Sequence, residues 1–263
     1  MRYPVEYRDT VALFASCPVD LFRPDVGFAT ARLLEQAGYR VEVPPQSCCG
    51  QVNYNNGDAR HARELAWQIV EQFERYSYTV IPSGSCTGMI TCHYPELFAN
   101  DPRQARVSAF CERVYELTTF LVEVADFQPP AALPATRHGV VTYHDSCAGL
   151  RELGVKAQPR ELLRRCAGIE VTEMADTEVC CGFGGTFCVK FGNVSARMAD
   201  DKLDNALAAG ADTLAGGDVS CLLHLAGRAR RRGLDLAVRH VAELLADAGG
   251  AGIGEASAPE GDA

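Results

Sequence analysis

VALFASCPVD at residues 11–20 is answered by VVTYHDSCAG at residues 140–149, and the echo decides how the fold is built. Each run is apolar and β-rich, and each leads into a Ser-Cys pair, Ser16-Cys17 and Ser146-Cys147. Outward from these, Cys48-Cys49-Gly50 recurs as Cys180-Cys181-Gly182, and Ser85-Cys86 in TVIPSGSC recurs as Ser220-Cys221 in TLAGGDVSC. The cysteine offsets are 130, 132, 132 and 135 residues. RVYELTTFLVE (113–123) and AVRHVAELLAD (237–247) end the two copies with one shared amphipathic helical pattern. Duplication is the economical explanation. The Pro-rich stretch DFQPPAALPATRH (126–138) reads as the linker. A first module at 1–128, a second at 129–248, and a disordered tail at 249–263 are therefore expected.

Within a copy, strand-like runs alternate with helical ones. VALFAS, YRVEVP and YTVIPS read as strands, with helices expected around 25–37 and 58–75. That order predicts an α/β fold of two pseudo-symmetric modules, each with largely parallel strands flanked by helices. Chemistry in such folds gathers at the carboxyl ends of strands. Cys17, the Cys48-Cys49 pair and Cys86 each follow an apolar run directly, so their distance in sequence does not prevent convergence.

The bulk composition narrows the function. With 47% apolar residues, 263 residues bury a substantial core, and a net charge of −9 argues against a general nucleic-acid binder. The N-terminal MRYPVEYRDT lacks an apolar signal region, and no stretch approaches the roughly 18 apolar residues of a membrane span. A cytoplasmic location is the expectation. Twelve cysteines in a reducing compartment are wrong for a disulfide framework and favour metal or redox chemistry.

The duplication sorts those cysteines. Cys17, Cys48, Cys49 and Cys86 recur as Cys147, Cys180, Cys181 and Cys221, whereas Cys92, Cys111, Cys166 and Cys188 have no counterpart and read as small buried hydrophobes. Cys188, in GGTFCVK, lies nearest in sequence to a repeated pair. For the eight, three readings compete: an iron-sulfur cluster in each module, zinc, or vicinal disulfides and packing thiols. Soft thiolates in fours favour clusters, and the absence of any C-x-x-C weighs against a single strain-free zinc site. Zinc in one module and iron-sulfur in the other is physically allowed.

Glycine after each pair permits positive φ and a close backbone approach, and the amides of GFGGTF (182–187) are candidate donors to sulfur. His144, three positions before Cys147, reads first as a turn residue, with a hydrogen bond to a cluster sulfur or a contact to a substrate carboxylate as the alternatives, and Phe14 stands in its place in the first copy. The arginines of CLLHLAGRARRR (221–232) read as cations favoured near a helix C-terminus. No general base, nucleophile or nucleotide loop stands out, so electron relay is expected rather than catalysis by this polypeptide alone.

The spacings C-x30-CCG-x35-C and C-x32-CCG-x38-C, with PSGSCTGMI and CCGFGGTFCVKFG, resemble the cysteine-rich CCG domain family over nearly the whole chain. Within it the likeness is greatest to the lactate-utilisation branch. It is more distant to the cysteine-rich subunits of heterodisulfide reductase and of anaerobic glycerol-3-phosphate dehydrogenase, and to the iron-sulfur subunit of glycolate oxidase. The resemblance implies a cytoplasmic component of a multi-subunit oxidoreductase that takes L-lactate to pyruvate. In it this subunit passes electrons through [4Fe-4S] clusters and holds no flavin or nicotinamide. A thiol or disulfide reductase component like that of heterodisulfide reductase and a zinc-stabilised scaffold are the alternatives. The fullest family pattern supplies a fifth cysteine for a non-cubane cluster, where this chain has Met89 and His224. Four thiolates per copy remain, enough for a four-iron cube.

Overall fold

A computed structural model of the chain describes residues 7–128, 138–247 and 251–255. The first copy supplies strands β1 (Thr10–Leu13), β2 (Arg40–Glu42), β3 (Tyr78–Ile81) and β4 (Val114–Glu116). The second supplies β5 (Val141–His144), β6 (Thr213–Gly216) and β7 (Ala237–His240). They form two sheets with strand orders β2-β1-β3-β4 and β5-β6-β7, and every pairing is parallel. The β2 position of the second copy shrinks to one parallel bridge, Val141 with Val171. Helices flank both sheets, as the alternating pattern predicts.

Local chemistry explains the principal helices. Ala59–Phe73 starts at Asp58, whose carboxylate accepts from the His61 N–H, and it buries Ala62, Ala66, Ile69, Val70 and Phe73 on one stripe. Its counterpart Gly192–Ala208 buries Ser195, Ala199, Lys202, Leu203 and Ala206, each 133 residues beyond its partner. Helix Val219–Arg232 begins at the cap Asp218 and ends at Gly233 in the left-handed region.

The two copies share an interior. Val11, Val80, Leu117 and Phe120 of the first pack in one cluster with Val141, Leu163, Ala215 and Val241 of the second. The exchange is reciprocal: Val241–Leu245 packs on helix Pro24–Gln36 of the first copy, and Leu117–Thr119 packs on helix Ala157–Ala167 of the second. Each fully buried Leu or Phe in this seam contributes about 1.5–3 kcal/mol relative to exposure.

Two expectations give way here. The runs 113–123 and 237–247, read as helices, each open as a strand, β4 or β7, and only then turn helical. The reason is capping. Glu116 ends β4 and accepts from the N–H groups of Thr118 and Thr119, while His240 ends β7 and accepts from that of Ala242. The tail also differs where it is described: Ile253 is buried, its N–H donates to Val238 O at 2.7 Å, and Arg23 donates to Ala251 O at 2.6 Å. Residues 129–137 of the expected linker, and 249–250 and 256–263 of the tail, lie outside the described residues.

Candidate metal centres

All eight repeated cysteines lie in the segments that follow strand or bridge ends. Cys17 and Cys147 open the short helices after β1 and β5, and Cys86 and Cys221 lie in the first turns of helices after β3 and β6. The pairs Cys48-Cys49 and Cys180-Cys181 follow β2 and its vestigial counterpart. Parallel strands point these ends the same way, so residues far apart in sequence converge.

Convergence is close in both copies. Cys49 Sγ lies 3.4 Å from Cys86 Sγ, and Cys17 and Cys49 both donate to Cys48. In the second copy the Cys147 and Cys181 thiols bear in the same way on Cys180, and Cys221 on Cys181. Within each chain one sulfur is held toward the thiolate: Cys48 by donation from Cys17 and then Cys49, Cys180 by donation from Cys147 and then Cys181. The donors are pushed correspondingly upward. Four soft donors gathered in this way suit a thiophilic metal centre, whose binding would displace the thiol protons.

Gly50 and Gly182 take φ values of 84° and 87°, and each donates its N–H to the sulfur two residues before it at 3.4 Å. Their lack of a side chain serves helix packing: an added Cβ would stand 3.2 Å from Ala62 O at Gly50 and 2.7 Å from Ser195 O at Gly182. The fully buried Tyr94 donates to Cys49 O at 2.9 Å and fixes the first pair from behind.

The four unrepeated cysteines make other contacts. Cys111 donates to Ile90 O at 3.1 Å with its thiol pushed up to about 12 by burial, and Cys188 donates to Gly185 O at 3.0 Å. Cys92 donates to Glu152 O at 3.8 Å, and Cys166 is buried in the shared core. His224, at one fifth-ligand position, lies 3.2 Å from Ser195 Oγ, and Met89, at the other, is core.

His144 departs from expectation. It is the last residue of β5 rather than a turn residue, only 1% exposed, and neither ring nitrogen has a hydrogen-bond partner. A ring nitrogen and the sulfurs of Cys181 and Cys221 all lie within 4.8 Å of one another. Burial, and then the charge of Lys202, hold the imidazole down at about 3, so it is neutral. Lys202 is itself 2% exposed, its ammonium donating to the carbonyls of Asp176 and, at 3.1 Å, Thr177. Sequence reading missed Lys202. Aligning the two long helices at their common offset would have exposed it opposite Ile69.

The two sets of sulfurs face one cleft. It encloses about 410 Å³ and is lined by all four repeated cysteines of the first copy together with Cys147 and Cys221. A larger surface hollow of about 600 Å³ beside Arg60, Trp67 and Arg103 contains no cysteine. The copies meet at the cleft through glycine. A Cβ on Gly84 would stand 2.8 Å from Gly149 Cα, so the helices carrying Cys86 and Cys147 touch backbone to backbone. Asp218 ties the seam, accepting from Ser83 Oγ at 3.1 Å and from the Ser85 N–H at 3.0 Å.

Fold and site together define a duplicated α/β protein with a four-cysteine cluster at the strand ends of each copy. The chain belongs to the CCG cysteine-rich domain family, whose family model matches residues 11–91 and 141–226. It is 44% identical to "Lactate utilization protein A" of Macrococcus caseolyticus (strain JCSC5402), over 89% of this chain and 95% of that protein. It is 43% identical to the protein of the same name from Geobacillus kaustophilus (strain HTA426), over 89% of this chain and 98% of that one. A crystal structure of a hypothetical protein from Helicobacter pylori shares the fold, with a TM-score of 0.66 and 11% identity, covering 97% of this chain and 52% of its own. No helix among the described residues is long and apolar enough to cross a membrane.

Proposed function

We propose that the protein is an iron-sulfur electron-transfer subunit of a lactate-oxidising system in the cytoplasm. The observation that carries this is the pair of four-cysteine sets at equivalent strand ends, with all of the first set and Cys147 and Cys221 of the second bordering one cleft. Cys17, Cys48, Cys49 and Cys86 would hold one [4Fe-4S] cluster, and Cys147, Cys180, Cys181 and Cys221 the other. Clusters of this kind take up and release one electron at a time.

Oxidation of L-lactate to pyruvate releases two electrons and two protons. The protein's part is to hold two one-electron sites close together between a partner dehydrogenase subunit, where the substrate is oxidised, and an acceptor. Likeness to relatives named for lactate utilisation supports the substrate. The module boundary is placed at 128/129 on the strength of the repeat.

A zinc-bearing second module is the competing reading, favoured by the nitrogen of His144 beside Cys181 and Cys221. Iron, acid-labile sulfide and zinc content of anaerobically purified protein, with its visible absorption, separates the two. About eight irons and eight sulfides per chain support two four-iron clusters. About four irons and four sulfides with one zinc per chain favour the zinc-bearing second module, and stoichiometric zinc without sulfide overturns the relay.

A further inference from the structure

We infer that His144 is a nitrogen ligand of the second metal centre beside Cys181 and Cys221, taking one of the four ligand positions that Cys147 or Cys180 would otherwise fill, which makes that centre a mixed nitrogen–sulfur site, whereas the first is all-sulfur. This rests on the reading that the cysteines hold a metal, but not on which metal it is.

Isolation of the ring is the first argument. An imidazole that is 1% exposed with both nitrogens unpartnered leaves buried polar groups unsatisfied, which costs about 1–3 kcal/mol for each. Such a residue persists where something completes its bonding. Distance is the second. Donors around a tetrahedral metal stand about 3.5–4 Å apart, and the His144 nitrogen and the Cys181 and Cys221 sulfurs already lie within 4.8 Å of one another. Adjustments of about 1 Å close the set.

The backbone is also held for the purpose. Asp145, next in sequence, accepts from both terminal nitrogens of Arg160 at 2.8 and 3.0 Å, which pins the turn between His144 and Cys147. The Thr177 carbonyl accepts from the Asp145 N–H at 3.3 Å and holds the same turn. Phe14 takes the corresponding place in the first copy and packs against Phe73 at 5.6 Å between ring centroids, where no nitrogen is available.

The test is the nitrogen signature of the metal in the full-length protein. With iron present, hyperfine spectroscopy of the dithionite-reduced protein, grown with ¹⁵N-labelled histidine, should show a strongly coupled nitrogen. The coupling should vanish in His144→Phe and remain in His224→Ala. With zinc present, X-ray absorption at the zinc edge should show a nitrogen bound directly to the metal in the unaltered protein, again lost in His144→Phe. Weak coupling alone, as from a hydrogen bond, overturns direct ligation. So does a signal that survives His144→Phe or disappears with His224→Ala. Metal content, read on the same samples, reports separately on whether the cysteines hold iron or zinc at all, and a chain that binds neither overturns both readings.

Discussion

The first copy packs Phe14, Ala62 and Ile69 beside its cysteines, and the second places His144, Ser195 and Lys202 at the corresponding positions. One backbone therefore provides two environments, an apolar one and one with a buried imidazole and a buried ammonium. The difference teaches that the duplication conserves the cysteine frame and varies the field around it. On the proposed reading, positive charge and a nitrogen donor near a cluster stabilise its reduced, more negative state, so the second centre is expected at the higher potential.

The most drastic way to break the comparison is to delete one side. Cys180→Ser should abolish the second centre and leave the first, and Cys48→Ser should do the reverse, each read as loss of half the bound metal. Loss of both centres from either change would show that the copies do not bind independently. Gly84→Ala acts on both at once: its Cβ would strike Gly149 backbone at 2.8 and 3.0 Å, between the helices of Cys86 and Cys147. A cost of about 1–3 kcal/mol in chemical denaturation is expected, with disturbed spectra from both centres.

A second contrast lies in the caps that follow β4 and β7. Burial raises Glu116 from 4.5 to about 7, whereas burial lowers His240. Between pH 4.5 and about 7 folded Glu116 keeps a proton that the unfolded chain releases, so its contribution to stability falls as pH rises through that window. The corresponding change is about 3 kcal/mol at 1.36 kcal/mol per pKa unit. His240 works oppositely, costing stability as pH falls below 6.5. Glu116→Gln should therefore make stability climb more steeply from pH 4.5 to 7, as denaturation midpoints across that range would show. An unchanged slope would remove Glu116 from the account.

Smaller effects sharpen the picture. Lys202→Ile copies the first module and should lower the second potential without loss of metal, since the ammonium donates to carbonyls in the structure. Cys166→Ala should leave metal content intact and cost about 1 kcal/mol or less, because that sulfur packs in the shared core.

The repeat made the four cysteine pairs, the parallel α/β frame and the helices Pro24–Gln36 and Ala59–Phe73 legible in the sequence. What escaped is tertiary. The runs at 113–123 and 237–247 carry helical spacing, yet their first residues hydrogen-bond to neighbouring strands that the pattern alone does not reveal. Reciprocal packing of the terminal helices is equally silent in sequence, because an amphipathic face does not name the copy it covers. His144 looked like a turn residue because it stands close before a Ser-Cys pair. Its unpartnered nitrogens emerge only once β5 carries the ring into the interior.

The most direct test of two unlike centres on one frame is a redox titration of the intact protein followed by electron paramagnetic resonance. Two separate one-electron steps are expected, with the more positive step missing from Cys180→Ser and retained in Cys48→Ser. A single step shared by both centres, or a more positive step that disappears with Cys48→Ser, would contradict the account.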